Sequence, residues 1–204
     1  MKNHNGKFKI IYSSELDSVW EDKMLLSNVE EESKILLVLA DRLPRTASLQ
    51  IWLAGIQSRA ELIVCCLGKG TDDTVLDIKF VHDAPETYGR ITARVALFDQ
   101  SRFTLRGMLE ITPRGKGSDT YFSAKGLLMS PRARAEIFPY LEIQTDEVRA
   151  SHGTSVGRMD EKQLFYLQSR GLLKEEAEKI ILADYFREAA KELPVGLRAK
   201  FFQH

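Results

Sequence analysis

Apolar and polar residues alternate along much of the first three quarters of the chain. Apolar residues occupy every second position in residues 49–53, 76–80, 91–97 and 103–111, and residues 35–39 form a continuous apolar run. A period of two places successive side chains on opposite faces of a β-strand, so each stretch has one apolar face. Turn-forming residues separate the stretches, at Gly68, Gly70, Asp83, Pro85, Gly89, Asp99, 113–117 and Pro131. The pattern predicts a mainly β protein.

The same alternation fits three architectures. A β-sandwich, a β-barrel and a stacked β-solenoid all bury one face of each strand. No clean fixed-period repeat is evident that would select the solenoid. The alternation by itself therefore leaves these architectures open.

Residues 1–34 have the least defined pattern. Residues 8–12 are compatible with an opening strand. In residues 14–28, the apolar positions Leu16, Val19, Trp20 and Met24 have near-helical spacing but are mixed with several charges. We treat residues 1–34 as a poorly defined leader to the β-core.

The first of two predicted helices begins at Asp160. Its carboxylate can accept from the free N–H groups of a helix start, while Gln163 reaches back to complete the cap. Arg170 suits the negative C-terminal end of this helix, and Gly171 can take up the left-handed conformation that closes it.

A second helix is predicted over residues 174–193. It carries an apolar stripe that consists of Ala177, Ile181, Leu182, Tyr185, Phe186, Ala189 and Leu193. Leu173 stands where a Ser or Asp cap is expected, which costs about 1 kcal/mol of helix stability. Pro194 ends the helix, and residues 196–204 are compatible with a short third helix that packs through Phe201 and Phe202.

Composition narrows the class of protein. A chain of 204 residues with 44% hydrophobic positions can bury a sizeable core as one domain. Its 29 basic and 29 acidic residues cancel, which gives no electrostatic reason to expect nucleic acid or an anionic membrane as a partner. No segment approaches the roughly 20 apolar residues that a membrane-spanning helix needs. We expect a soluble, cytoplasmic protein.

The two cysteines of the chain are Cys65 and Cys66, adjacent in an apolar run. Adjacent residues of a strand face opposite sides, and a vicinal disulfide requires strained geometry. A zinc or iron–sulfur site usually needs three or four ligands. We interpret these cysteines as small buried side chains.

Common catalytic motifs are not evident in the sequence. Residues 68–71 and 115–118 are short basic turns without the spacing of a phosphate-binding loop, so no ATP hydrolysis is predicted. Ser151 and His152 are adjacent, and no third residue is identifiable that would orient them for nucleophilic catalysis. His82 and His152 are candidates for a metal site, although no spaced cluster of ligands accompanies either.

An ordered series of motifs resembles the SufB/SufD family of iron–sulfur cluster assembly proteins. The series covers most of residues 75–193 and consists of His82, 86–87, 89–90, 117–119, 127–134, 141–143, 151–161, 163–167, 169–171 and 175–177. The longest match reads Ser-His-Gly-Thr-Ser-Val-Gly-Arg-Met-Asp at residues 151–160. The triplet Ser151-His152-Gly153 makes the resemblance closer to the SufD branch.

The resemblance implies a fold and its division. The family core is a right-handed parallel β-helix, a single-chain solenoid followed by a small α-helical subdomain. We therefore expect a β-helix core over residues 1–158 and a C-terminal helical subdomain over residues 159–204. The resemblance also implies that the helical region that usually precedes the β-helix in this family is missing.

The resemblance further implies a non-catalytic scaffold subunit of the SUF system. Such a subunit pairs through its β-helix with a SufB-like subunit or with itself, and docks a SufC-like ABC ATPase through its C-terminal helices. The docking candidates are Leu164, Phe165, Leu167, Tyr185 and Phe186. His152 matches the histidine that the SufD branch contributes near the assembly interface. No cofactor is expected to bind stably to this chain alone, and a transient Fe–S cluster is expected at a dimer interface.

Two departures from the family pattern concern cysteine. Ala133 and Ala150 occupy positions where family members carry cysteines, so a SufB-type role in building the cluster is not implied. The alternative hypothesis is a divergent stand-alone paralogue, a metal-binding protein or enzyme that uses His82 and His152.

Overall fold

The computed structural model describes residues 7–191, which form eleven β-strands, one 3-10 helix and two α-helices. The strands are β1 (Lys7–Tyr12), β2 (Val19–Leu26), β3 (Glu32–Leu39), β4 (Thr46–Leu53), β5 (Arg59–Gly68), β6 (Asp73–His82), β7 (Tyr88–Leu97), β8 (Arg102–Ile111), β9 (Asp119–Leu128), β10 (Arg134–Ile143) and β11 (Arg149–Arg158). The 3-10 helix covers Ser13–Glu15, α1 covers Glu161–Ser169 and α2 covers Lys174–Ala190.

The strands form two parallel sheets that the chain visits alternately. The odd sheet has the order β1-β3-β5-β7-β9-β11, and the even sheet has the order β10-β8-β6-β4-β2. Each turn of the chain adds one strand to each sheet, so the strands stack into a β-solenoid of about five turns. The predicted mainly β class is confirmed, and the solenoid is the architecture among the three that the alternation left open.

The repeat of this solenoid is irregular. Paired residues of neighbouring strands lie 26 positions apart at Lys7 and Ser33, but 32 positions apart at Arg102 and Arg134. The variation arises in the loops, because the strands themselves pair in continuous register. This is why no fixed period is evident in the sequence.

Rows of in-register side chains fill the space between the two sheets. In the odd sheet, Ile35, Leu62, Ile91 and Phe122 form one such row, and all four are buried. Phe122 faces Gly107 of the even sheet, where an added Cβ would lie 2.4 Å from the ring. The largest side chain of the row therefore packs where the opposite strand carries none.

Helix α2 covers part of the outer face of the odd sheet. Its buried residues Leu182, Phe186 and Ala189 join a second apolar cluster with outward-facing residues of β3, β5 and β7. The hydroxyl of Tyr185 donates to the carbonyl oxygen of Lys125, 2.5 Å away. Helix α2 is thereby fixed to the solenoid by both packing and a hydrogen bond.

The two cysteines are buried, as predicted, and face opposite sides of β5. Cys66 belongs to the core between the sheets, whereas Cys65 belongs to the cluster beneath α2. Neither forms a disulfide.

Helix α1 begins and ends where the sequence predicted. The Asp160 carboxylate accepts from the backbone N–H of Lys162 at 2.9 Å, and Gly171 closes the helix with a φ of +92°. The cap bond that the structure shows goes to Lys162, whereas the predicted return bond from Gln163 is not among the hydrogen bonds of the described residues.

Helix α2 starts at Lys174, as predicted, without a side-chain acceptor at Leu173. The Glu176 carboxylate instead accepts from the backbone N–H of Leu173 at 2.8 Å. The members of the predicted stripe from Ala177 to Ala189 are buried, except Tyr185, which is half-buried. Leu193, Pro194 and the expected third helix with Phe201 and Phe202 lie outside the described residues.

The stretch 14–28, which had near-helical spacing, forms the 3-10 helix and strand β2. Within β2, Trp20, Met24 and Leu26 pack against the core between the sheets. Alternate positions from 20 to 26 thus point inward, a period of two that Leu16 and Val19 obscure. No helix within residues 7–191 has the length and apolar character needed to cross a bilayer.

Candidate functional site

The solenoid ends in strands β10 and β11, and we call this region the open end. β10 pairs only with β8, and β11 pairs only with β9. Within the described part of the chain, the second edge of each strand has no strand partner. The backbone N–H and C=O groups along these two edges are therefore available to another chain.

Side chains that face inward in the earlier turns are exposed at the open end. Leu141 and Ile143 of β10 continue rows whose preceding members, Leu109 and Ile111, are fully buried. Leu141 is 38% exposed and Ile143 is 44% exposed, because no further turn covers them. The open end is therefore an apolar surface of the kind that marks a contact with another protein.

His152 is a polar member of this apolar end. It lies in register with Phe122 and continues the row that begins with Ile35. Its imidazole therefore lies on the inward side of β11, but it is exposed because β11 is the last strand. A neutral imidazole in this position can bind a metal ion or orient another ligand.

Gly153, which follows His152, lies close to the side chain of Tyr121. A Cβ on Gly153 would lie 2.6 Å from the hydroxyl oxygen of Tyr121. The Tyr121 side chain therefore extends along the outer face of the sheet beneath β11. A larger residue at position 153 would require the Tyr121 ring, which is 37% exposed, to move aside.

Asp119 ties the last strand to the rest of the odd sheet. Its carboxylate accepts from Arg90 of β7 at 2.6 Å and from Arg149 of β11 at 3.0 Å. One acidic side chain thus links β7, β9 and β11. The local sequence pattern does not predict this role for Asp119, although Arg90, Asp119 and Arg149 lie about one turn apart along the chain.

No thiol of this chain reaches the open end. Ala133, at one family cysteine position, is fully buried just before β10, and Ala150, at the other, is half-buried on β11. Burial raises the pKa of the Cys65 thiol to about 12 and raises that of Cys66 well above its ordinary value. Both cysteines are therefore held as thiols, whereas cluster ligation requires thiolates.

His82 has a different environment from His152. It is fully buried at the end of β6, and its Nδ1 lies 2.8 Å from Oγ1 of Thr87, which in turn contacts Ser118 at 2.7 Å. Burial, together with the nearby Arg90, lowers the pKa of His82 to about 4. His82 is thus a neutral core residue near pH 7.

The structure does not bring His82 and His152 together. They lie in different sheets, and strand β8 lies between the strand of His82 and strand β10 of the open end. Within residues 7–191, no cluster of three or more His, Cys, Asp or Glu residues is arranged to hold a metal ion.

The five docking candidates divide into two groups. Phe165 of α1 is 73% exposed, and Leu164 and Leu167 are half-buried on the same helix. Phe186 is instead fully buried on the side of α2 that packs against the sheet. Tyr185 packs edge-on against Phe186, and the Tyr185 hydroxyl donates a hydrogen bond to the sheet. Tyr185 and Phe186 hold the helical tail to the solenoid, and α1 carries the accessible apolar side chains.

Comparison with known proteins identifies the family. A family model described as the SufBD core domain of SUF-system Fe–S cluster assembly matches residues 30–185. This match covers well over half of the chain. The chain belongs to the SufBD family. The resemblance that the sequence motifs indicated is thereby confirmed.

Several curated members of the SufBD family are similar to this chain. A SufBD family iron–sulfur cluster assembly protein of Mycobacterium bovis is 28% identical over 145 residues, which cover 71% of this chain and 17% of that protein. SufB of Bacillus subtilis is 30% identical over 134 residues, 66% of this chain and 29% of SufB. SufD of the same organism is 30% identical over 129 residues, 63% of this chain and 30% of SufD.

These similarities have two consequences. Since the identity to SufB equals the identity to SufD, they do not distinguish the two branches. The matched regions also span less than a third of each of these relatives.

Proposed function

We propose that this chain is a SufD-like, non-catalytic scaffold subunit of an iron–sulfur cluster assembly complex. It pairs with a SufB-like subunit or with a second copy through the open end, and it docks a SufC-like ABC ATPase through α1. The observation that carries the proposal is the open end itself, where inward-facing apolar rows are exposed beside two strand edges that have no strand partner within residues 7–191.

Pairing through the open end would cover its exposed apolar side chains and supply hydrogen-bond partners to its strand edges. A partner that covers Leu141, Ile143 and Val156 removes apolar surface from water, and these side chains are now 38%, 44% and 43% exposed. A strand of the partner can also bond the edge of β10 or β11. A two-fold arrangement uses the same surface on both chains and closes after two copies.

The nascent cluster is the cargo of such a pair, and this chain's contribution to it is His152. The imidazole lies on the inward side of β11, so a partner seated on the open end faces it. The chain supplies no accessible thiolate, because Ala133 and Ala150 occupy the two family cysteine positions. The thiolates that hold the cluster must therefore come from the partner or from another component.

The same lack of thiolates favours the SufD-like role over the SufB-like one. A subunit that builds the cluster itself needs cysteine ligands at the interface. A subunit that supports the assembly needs only the pairing surface and a positioning group, and this chain has both.

Docking of the ATPase is assigned to α1. Phe165 projects from this helix with Leu164 and Leu167 beside it, and a helix that presents apolar side chains fits a groove of a partner. Helix α2 then connects the docked ATPase to the sheet through Tyr185 and Phe186. The docking surface is therefore smaller than the five candidates from the sequence, and α1 provides it.

The pairing surface is tested with Ile143→Lys. Because Ile143 is already 44% exposed, the substitution is compatible with the folded monomer but places a charge in the proposed interface. We expect the mass of the complex, measured by light scattering after size-exclusion chromatography, to fall to that of a single chain. The probes are the purified chain alone and the chain mixed with a purified SufB-like subunit.

Ile56→Lys is the matched control for this experiment. Ile56 is 48% exposed in the loop between β4 and β5, away from the open end. It is expected to pair as the unmodified chain does. Unchanged pairing of a folded Ile143→Lys chain with itself and with the SufB-like subunit would overturn the proposal.

The docking surface is tested with Phe165→Asp. Calorimetric titration with a purified SufC-like ATPase is expected to show at least about a tenfold loss of affinity, because a buried aromatic contact is replaced by a charge. Val29→Asp, at a 66% exposed apolar residue between β2 and β3, is the control and is expected to bind normally. Tight binding by folded Phe165→Asp would exclude this face of α1.

A further inference from the structure

The first turn of the solenoid carries an ion pair where the second turn carries apolar side chains. Lys9 of β1 lies in register with Ile35, and Asp22 of β2 lies in register with Leu49. Both Ile35 and Leu49 belong to the core between the sheets. Lys9 and Asp22 therefore occupy inward-facing positions of opposite sheets.

These two charged side chains form an ion pair across the space between the two sheets at the first turn, which we call the mouth of the solenoid. The Lys9 Nζ lies 2.7 Å from Asp22 Oδ2, with the two side chains 45% and 30% exposed. Ile11 and Leu16, which also belong to the first turn, are buried members of the core between the sheets. We call this region the capped end.

A parallel solenoid with two uncovered ends can grow without limit. Strands β1 and β2 are the other terminal strands of the two sheets, so the open end of one copy can in principle continue onto the first turn of the next. Such a head-to-tail contact is heterologous and does not close, so it generates filaments. An uncharged first turn offers no barrier to it.

We propose that the Lys9–Asp22 pair blocks head-to-tail addition of a second copy of this chain and so confines association to the open end. This inference rests on the proposed function in so far as the open end is an association surface. A copy seated on the capped end would enclose both charges between apolar rows. Enclosure removes the water that now solvates their exposed parts, and the attraction between the charges does not compensate for that loss.

The test removes the pair without removing packing volume, in the double variant Lys9→Leu with Asp22→Leu. Sedimentation velocity over a range of concentrations is expected to show species larger than two chains, with apparent self-association at least about tenfold tighter than that of the unmodified chain. The milder variant Lys9→Gln with Asp22→Asn removes both charges but keeps both side chains polar. It is expected to associate to an intermediate extent, and it covers the case in which the leucine variant does not fold.

Two further variants test whether the charges at positions 9 and 22 and the apolar open end are each required. The exchanged pair Lys9→Asp with Asp22→Lys keeps the charges at the mouth and is expected to remain as small as the unmodified chain. Adding Ile143→Lys to the leucine variant is expected to abolish the large species, because head-to-tail contact needs the open end as well. Large species that persist in this triple variant would overturn the inference, as would folded leucine and Gln/Asn variants that stay the size of the unmodified chain.

The outcomes separate this inference from the proposed function. If Ile143→Lys alone leaves pairing unchanged, the pairing surface is wrong, whatever the leucine variant does. If Ile143→Lys abolishes pairing and neither neutral variant grows, the pairing surface stands and the blocking role of Lys9 and Asp22 is wrong.

Discussion

The two ends of the solenoid continue the same rows of side chains but terminate them differently. One row of the odd sheet runs from Lys9 through Ile35 and Phe122 to His152. At the first turn, Lys9 pairs with Asp22 across the mouth, whereas at the last turn His152 lies among exposed apolar residues. Each end of a solenoid leaves the interior rows without a further turn to cover them, and the two ends of this chain differ in the residue types that they expose there.

An inner turn is expected to be more sensitive to truncation than the last turn, and the largest loss of unfolding free energy is expected for Phe122→Ala. Phe122 is fully buried against Gly107, so truncation leaves a cavity and is expected to cost about 3–5 kcal/mol of unfolding free energy. Leu141→Ala in the last turn is expected to cost less than half as much, because Leu141 is already 38% exposed. Urea unfolding in the Ile143→Lys background excludes any contribution from pairing; equal losses would show that the last turn is covered as well as the inner one.

The two histidines provide the second comparison. The pKa of buried His82 is lowered to about 4, chiefly by burial, from an ordinary value near 6.5. As the pH falls from about 6.5 to about 4, the unfolded chain binds this proton before the folded chain does. His82 is therefore expected to remove roughly 3 kcal/mol of stability over that window, with little effect above it.

The measurement is the free energy of unfolding at several pH values in His82→Leu and His152→Gln. His82→Leu is expected to be less stable at pH 7, since Thr87 loses one of its hydrogen-bond partners, but to lose less stability on acidification than the unmodified chain. His152→Gln replaces an exposed histidine away from the Thr87 contact and is the control for the loss of a histidine elsewhere in the chain. An unchanged slope in His82→Leu would mean that the acid sensitivity arises elsewhere.

The smallest expected effect is that of Lys9→Gln on the stability of the single chain. An ion pair whose members are 45% and 30% exposed contributes no more than about 1 kcal/mol. Urea unfolding in the Ile143→Lys background is expected to show a change within that limit. A loss of several kcal/mol would mean that the pair holds the first turn together, in addition to any effect on association.

The sequence was sufficient to predict most local structure in the chain. Alternating residues such as 91–97 and 103–111 became strands, and Asp160 and Gly171 mark the ends of α1, because these signals depend on the nearest neighbours in the chain. Stacking of the turns depends on loop lengths, and these vary by several residues from turn to turn. The family resemblance supplied the architecture that the alternation left open.

The candidate site was harder to predict for a related reason. That His152 faces inward follows only from its register with Phe122, a residue 30 positions earlier. The burial of Phe186 likewise depends on where α2 meets the sheet, since an amphipathic stripe predicts a buried face without saying which surface covers it. Long-range register and packing are the information that a local pattern does not contain.

The placement of the two cysteines makes the protein its own conformational reporter. Cys65 is covered by the cluster beneath α2, and Cys66 is enclosed between the sheets. A thiol reagent therefore reaches Cys65 when α2 lifts from the sheet, but reaches Cys66 only when the turns themselves separate. The order in which the two sulfurs are labelled distinguishes release of the tail from unfolding of the solenoid, without the introduction of a further cysteine.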